Sequence, residues 1–122
     1  DRNNPQISHL YDPLHPAVLQ LIQILIKNAD RYQKPVELCG EMASDTDGAV
    51  ILAGLGLRIF SMNAPLIPTI KERLSMISMP DAERLAREAL KSESALQVRN
   101  LVRAHFNDPL LKIEPLRQSI SS

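Results

Sequence analysis

The sequence predicts an α/β fold, and three observations carry that prediction. Two short apolar runs of strand character, VELC (36–39) and LRIFSM (57–62), flank one helix-like segment. A strand, a helix and a strand in succession join as a parallel pair through a right-handed crossover. Amphipathic helical patterns fill most of the remaining chain on both sides. Two short strands cannot make a stable sheet alone. Both runs are apolar enough to want cover on two faces, as parallel strands do. The expectation is the end of a larger α/β fold, cut on its N-terminal side, where DRNN starts abruptly with no element before it.

Each element has its own signal. Pro5, Pro13 and Pro16 keep the first sixteen residues in loop. AVLQLIQILIKNADRY then reads as a helix: Val18, Leu21, Ile22, Leu25 and Ala29 recur at spacings of three and four, and Pro16 suits the position before the first turn. Leu19, Ile24 and Ile26 widen that face, which predicts cover on more than one side. After the first strand and the loop GEMASD, the segment TDGAVILAGLG predicts a short helix, capped by Asp45 or Thr46 and ended at Gly54 or Gly56. Following the second strand, Asn63 is expected to cap a helix through IPTIKERLSMI, with Ile67, Ile70 and Leu74 inward. Ser78, Pro80 and Asp81 open PDAERLAREALK, amphipathic through Ala82, Leu85, Ala86 and Ala89. Ser94 and Gln97 form a capping-box pattern for a last helix, ALQVRNLVRAHF. The tail NDPLLKIEPLRQSISS has two prolines and no clear periodicity.

Composition excludes several functions. One domain at most fits into 122 residues, a length that can still bury a real core. Fourteen basic residues balance fourteen acidic ones, which argues against nucleic acid or an anionic membrane as the main partner. Aromatic residues are only 3% of the chain, too few for a stacking platform. No apolar run approaches the ~20 residues of a membrane span, and no signal peptide is visible. The single cysteine, Cys39, makes no internal disulfide, and a reducing, cytoplasmic compartment is the natural reading. A lone cysteine is most often a small buried apolar group, so a functional role for Cys39 needs further grounds.

Those grounds come from a resemblance. Asp1-Arg2, then SHLYDPLHPAV (8–18), then CGEMASD (39–45) closing a strand, then Ser61-Met62 closing another, resemble the C-terminal end of the phosphoenolpyruvate-utilising enzymes. The best match is to the phosphoenolpyruvate–protein phosphotransferases, the first enzymes of the bacterial phosphotransfer system, and it runs from Asp1 to about Val102. The resemblance implies a (β/α)8 barrel, of which this chain would be the loop after the sixth strand and the last two strands with their helices. Such barrels need about 250 residues and place their active sites at the C-terminal ends of the strands, where Cys39 falls. Residues 1–106 would be barrel and 107–122 a tail.

The implied reaction passes the phosphoryl group of phosphoenolpyruvate to a histidine on a separate domain, and thence to a small histidine-bearing phosphocarrier protein. Cys39 would be the general acid that protonates enolpyruvate to pyruvate. The local chemistry suits this role: an ordinary thiol, with a pKa of about 8.5, is protonated at neutral pH. Glu41 lies two residues on with no Lys or Arg adjacent, the opposite of the basic company a nucleophilic cysteine prefers. Arg2 matches the arginine that holds the anionic substrate by paired donors; without the resemblance it is a solvated terminal charge. Gly40 either lets backbone approach substrate or is a turn glycine, and Glu41 either orients the thiol or caps a loop. The family's Mg2+ ligands and its phosphorylated histidine, in a GG-x-x-SH motif, come earlier, so the isolated chain would be inactive. The intact enzyme would be a homodimer.

Asn3 and Asn63, in DRNN and SMN, favour the nitrogen-related branch over the sugar system. The alternatives are a fragment of pyruvate phosphate dikinase or phosphoenolpyruvate synthase, or a non-catalytic docking or assembly module. His9 and His15 are expected in turns or at the surface, and His105 in a structural role; none of the three belongs to a metal-spaced cluster. Glu83, Arg84, Arg87 and Glu88 read as a solvated face of paired charges.

Overall fold

A computed structural model describes residues 12–39, 42 and 45–108 of the chain. Its elements are helix α1 (Pro16–Arg31), strand β1 (Glu37–Cys39), helix α2 (Thr46–Leu55), strand β2 (Ile59–Ser61), a 3-10 turn (Ala64–Leu66), and helices α3 (Ile67–Ser75), α4 (Met79–Leu90) and α5 (Ala95–Asn107). The two strands pair in parallel, with Glu37 opposite Ile59, Leu38 opposite Phe60 and Cys39 opposite Ser61. The strand–helix–strand unit is thus the predicted one, and the helix-rich chain with two parallel strands fits the C-terminal part of a phosphoenolpyruvate-utilising barrel.

Helix α2 is the centre of the core. Residues 47–53 are all buried, so this helix is apolar nearly all round and covered on every side. Val50, Ile51 and Leu52 meet Leu14, Leu19 and Ile26 from the N-terminal side, and Leu85, Ala89, Val98 and Val102 from α4 and α5. Asp45 is the N-cap: its Oδ1 accepts from the amides of Asp47 at 3.0 Å and Gly48 at 3.3 Å. Gly56 ends the helix with φ at +110°, where the amide of Leu57 bonds the carbonyl of Leu52 and that of Gly56 bonds Ala53, the six-to-one and five-to-two pattern of a glycine-terminated helix. The choice left open between Asp45 and Thr46, and between Gly54 and Gly56, is resolved by these bonds. Gly54 serves packing instead. A Cβ built there would stand 2.1 Å from the carbonyl oxygen of Ala82.

Ser78 Oγ accepts from the amide of Asp81, and Ser94 Oγ from that of Gln97, so both predicted caps form. Gln97 Oε1 accepts from the amide of Glu93, one residue before the usual partner in a capping box. Arg84 pairs with Glu88 at 3.4 Å along the solvated face of α4.

Two expectations are corrected. Asn63 makes no side-chain capping bond; the chain takes the 3-10 turn first and α3 begins at Ile67. Pro65 and Pro68 explain this, because proline fits a first turn but donates no amide to a cap. In α1 the buried positions are Pro16, Leu19 and Ile26, whereas Leu21 is 65% and Leu25 61% exposed. Cover on more than one side is not found: the described neighbours cover one flank of this helix and leave Leu21, Ile24 and Leu25 exposed. The sheet is similarly one-sided: Leu38 and Phe60 pack on the core, while Glu37 and Ile59 are exposed. No described helix is long and apolar enough to cross a membrane.

Candidate functional site

The parallel strands end together. Cys39 and Ser61 are in register at the C-terminal ends of β1 and β2, so the chain leaves both strands at one edge of the sheet. Two residues before Cys39, the Glu37 carboxylate accepts a hydrogen bond from Ser61 Oγ, joining the strands through their side chains as well as their backbones. Glu37 did not stand out in the sequence; its pairing depends on strand register, which a single chain's pattern does not reveal. Arg2, Gly40 and Glu41 lie outside the described residues. His15 caps α1, its Nδ1 accepting from the amide of Ala17. His105 lies 3.3 Å from Arg84 Nη2 and edge-on to Phe106, in keeping with a structural part. His9 falls outside the described residues.

A second group gathers at the start of α2. Arg99, on α5, reaches three aspartates: Asp12 before α1, Asp45 at the N-cap of α2 and Asp47 in its first turn. Its Nε and Nη2 meet the two carboxylate oxygens of Asp12 at 3.0 and 2.9 Å, a bidentate pair. Nη2 also lies 2.8 Å from Asp45 Oδ2, and Nη1 3.3 Å from Asp47 Oδ2. Arg103, one turn further on, approaches Asp47 at 3.4 Å. Asp45 thus divides its oxygens, one capping α2 and the other on Arg99. All three donor nitrogens of Arg99 are engaged, and these carboxylates raise its pKa further above the ordinary arginine value, first through the bond to Asp12 and then through Asp45.

Burial by itself would raise the pKa of Asp12. The bonds from Arg99 and the Leu14 amide, with the charges of Arg99 and His15, outweigh it and hold the carboxyl below the usual range. Folded Asp12 therefore binds its proton less readily than unfolded Asp12. Its stabilising contribution is complete above the unfolded pKa and disappears as pH falls through the lower folded value. Between about pH 5 and pH 3, thermal unfolding of the intact protein should shift to lower temperature, and Asp12→Asn should reduce that shift. An identical acid-side shift in the variant would show that Asp12 is not linked in this way.

Comparison with known proteins shows the family. Residues 1–79 match the family described as PEP-utilising enzyme, PEP-binding domain. That stretch holds both strands and both strand ends. The chain belongs to the phosphoenolpyruvate-utilising enzymes. It is 41% identical over 107 residues to the phosphoenolpyruvate-protein phosphotransferase of Buchnera aphidicola, covering 88% of this chain and 19% of that protein. It is 40% identical over 104 residues to the Salmonella typhimurium protein called phosphoenolpyruvate-dependent phosphotransferase system, covering 85% and 14% respectively. The Escherichia coli multiphosphoryl transfer protein 1 is 36% identical over 118 residues, 93% of this chain and 14% of that one. The chain therefore spans less than a fifth of the length of these relatives.

Among the described residues, no group of three or more His, Cys, Asp or Glu is placed to hold a metal ion. The three aspartates that do converge do not fit a Mg2+ site, because each is committed to Arg99.

Proposed function

We propose that this chain is the C-terminal part, residues 1–106 with a tail at 107–122, of the phosphoenolpyruvate-binding barrel of a cytoplasmic phosphoenolpyruvate–protein phosphotransferase. The observation that carries the reading is the position of Cys39. It closes β1 at the shared C-terminal edge of two parallel strands, inside the stretch that matches the phosphoenolpyruvate-binding domain. That edge is where barrel enzymes keep their reacting groups.

In the reaction the bridging P–O bond of phosphoenolpyruvate breaks as a P–N bond forms to a histidine elsewhere in the intact protein. The electron pair stays on oxygen, giving the enolate of pyruvate. Cys39 then donates its S–H proton to C3, the enolate collapses to the ketone, and solvent reprotonates the thiolate. The phosphohistidine passes its group to a histidine-bearing phosphocarrier protein. Gly40 and Glu41 are supporting residues, by close backbone approach and by holding the neighbouring thiol in its neutral form. The family typically uses Mg2+, whose charge would stabilise the phosphoryl group and the enolate; its carboxylate ligands would come from elsewhere in the protein. Asn3 and Asn63 favour the nitrogen-related branch.

Arg2 holds the anionic substrate in this reading. Arg2→Ala in the intact protein should weaken phosphoenolpyruvate binding by about 1.5–3 kcal/mol, the scale of a hydrogen bond to a charged group. Calorimetry tests it. An unaltered dissociation constant would return Arg2 to the status of a solvated charge.

A further inference from the structure

Arg99 lies outside residues 1–79, the stretch matched by the phosphoenolpyruvate-binding domain. Yet its guanidinium joins the residue that caps α2, the helix following the Cys39 strand end, to the loop before α1. Asp12 lies in the loop before α1, and Asp45 is the sixth residue after Cys39. We propose that Arg99 is a positioning residue for Cys39: by holding Asp12 and Asp45 on one guanidinium it fixes the start of α2, the helix that follows the Cys39 strand end.

The geometry requires an arginine. Asp12 takes two parallel bonds from Nε and Nη2, and the same Nη2 reaches Asp45. A lysine ammonium is a single point with no fork, and cannot span both carboxylates in this way. The cluster is only partly open to water, with the Arg99 side chain 20% exposed and Asp47 10%. A charge network so placed is screened less than surface pairs are. The anchors are rigid as well. Asp45 is fixed by its bonds to the first turn of α2, and Asp12 by accepting from the Leu14 amide at 3.0 Å, with Leu14 fully buried. A shift at Arg99 would therefore be passed to the start of α2, six residues after Cys39. The proposal rests on the reading of Cys39 as proton donor and names the group that places it.

The test uses the intact protein. Arg99→Lys should lower kcat for pyruvate formation by about tenfold to a hundredfold, the scale of a small misplacement of reacting groups. Combined with Cys39→Ser, it should cost little beyond Cys39→Ser alone, since both act on one step. Alkylation of Cys39 by iodoacetamide, followed on its peptide by mass spectrometry, should change in rate by about threefold or more in Arg99→Lys. Arg103→Lys, on the same helix and 56% exposed, should match wild type in both readouts. Should Arg99→Lys fail to fold, Asp45→Asn is the second variant: asparagine still caps α2 but loses the charge facing Arg99, and the same changes are expected. Wild-type kcat and wild-type alkylation in a folded Arg99→Lys would overturn the proposal. So would losses that simply multiply with those of Cys39→Ser. If Cys39→Ser alone leaves turnover intact, the proton-donor reading falls, and the alkylation rates still decide whether Arg99 places the Cys39 segment.

Discussion

Cys39→Ser in the intact protein should retain phosphoenolpyruvate binding and lose about a hundredfold or more in pyruvate formation, the lower range of what a positioned general acid contributes. The substitution is nearly isosteric, and the backbone of Cys39 pairs with Ser61 whichever side chain it carries. What changes is acidity. A serine hydroxyl is a far weaker acid than a thiol, so the proton reaching C3 of the enolate would have to come from water. Phosphoryl transfer to the histidine need not slow to the same degree. The expected signature is a burst of phosphoenzyme with slow release of pyruvate, read by rapid quench beside calorimetric titration of phosphoenolpyruvate. Turnover within about threefold of wild type would remove Cys39 from the mechanism. The prediction also separates the proposed enzyme from the assembly-module alternative, which gives the thiol no chemical task.

Much of this architecture was legible in the sequence because its signals are local. Ser78 and Ser94 announce helix starts three residues ahead of the amides they cap, and strand–helix–strand order sets the parallel pairing. Cys39 could be placed at a strand end by pattern alone, although the chemical role proposed for it came only from the resemblance. The orientation of α1 was not legible: its apolar residues cover more than one face, and only packing shows that Leu19 and Ile26 turn inward while Leu21 and Leu25 do not. Nor was the Arg99 cluster, whose members lie as much as 87 positions apart. The one available signal was a pair of arginines four residues apart, beside Val98 and Val102 on the packed side of the last helix. Such a pair ordinarily reads as a solvated face. It becomes a node only when the fold brings Asp12, Asp45 and Asp47 to it.

Gly54→Ala should be the most damaging single-methyl change in the described core. The glycine lies inside α2, where alanine normally favours a helix by about 1 kcal/mol. Propensity alone therefore predicts a more stable protein. Packing predicts the reverse. The added Cβ would stand 2.1 Å from the carbonyl oxygen and 2.6 Å from the carbonyl carbon of Ala82, and 3.0 Å from Ala86 Cβ. Two of these atoms are backbone, so no rotamer change relieves the contact, and α2 and α4 must move apart. Overpacking of this kind costs typically 1–3 kcal/mol and occasionally more. Because backbone is involved, we expect about 3 kcal/mol or more of destabilisation, well above the propensity gain. Gly56→Ala is the comparison: its φ of +110° is strained for alanine, but the nearest atom is a side-chain methyl of Ile26 at 3.2 Å, so its cost should stay near 1–2 kcal/mol. Hydrogen exchange across α2 and α4 in the intact protein reads both variants locally, without requiring two-state unfolding of a multidomain chain. Faster exchange in both helices for Gly54→Ala, and a smaller effect confined to the end of α2 for Gly56→Ala, is the expected pattern. Unchanged protection in Gly54→Ala would mean that the two helices do not approach as closely as Gly54 and Ala82 indicate, and the central position of α2 would have to be redrawn.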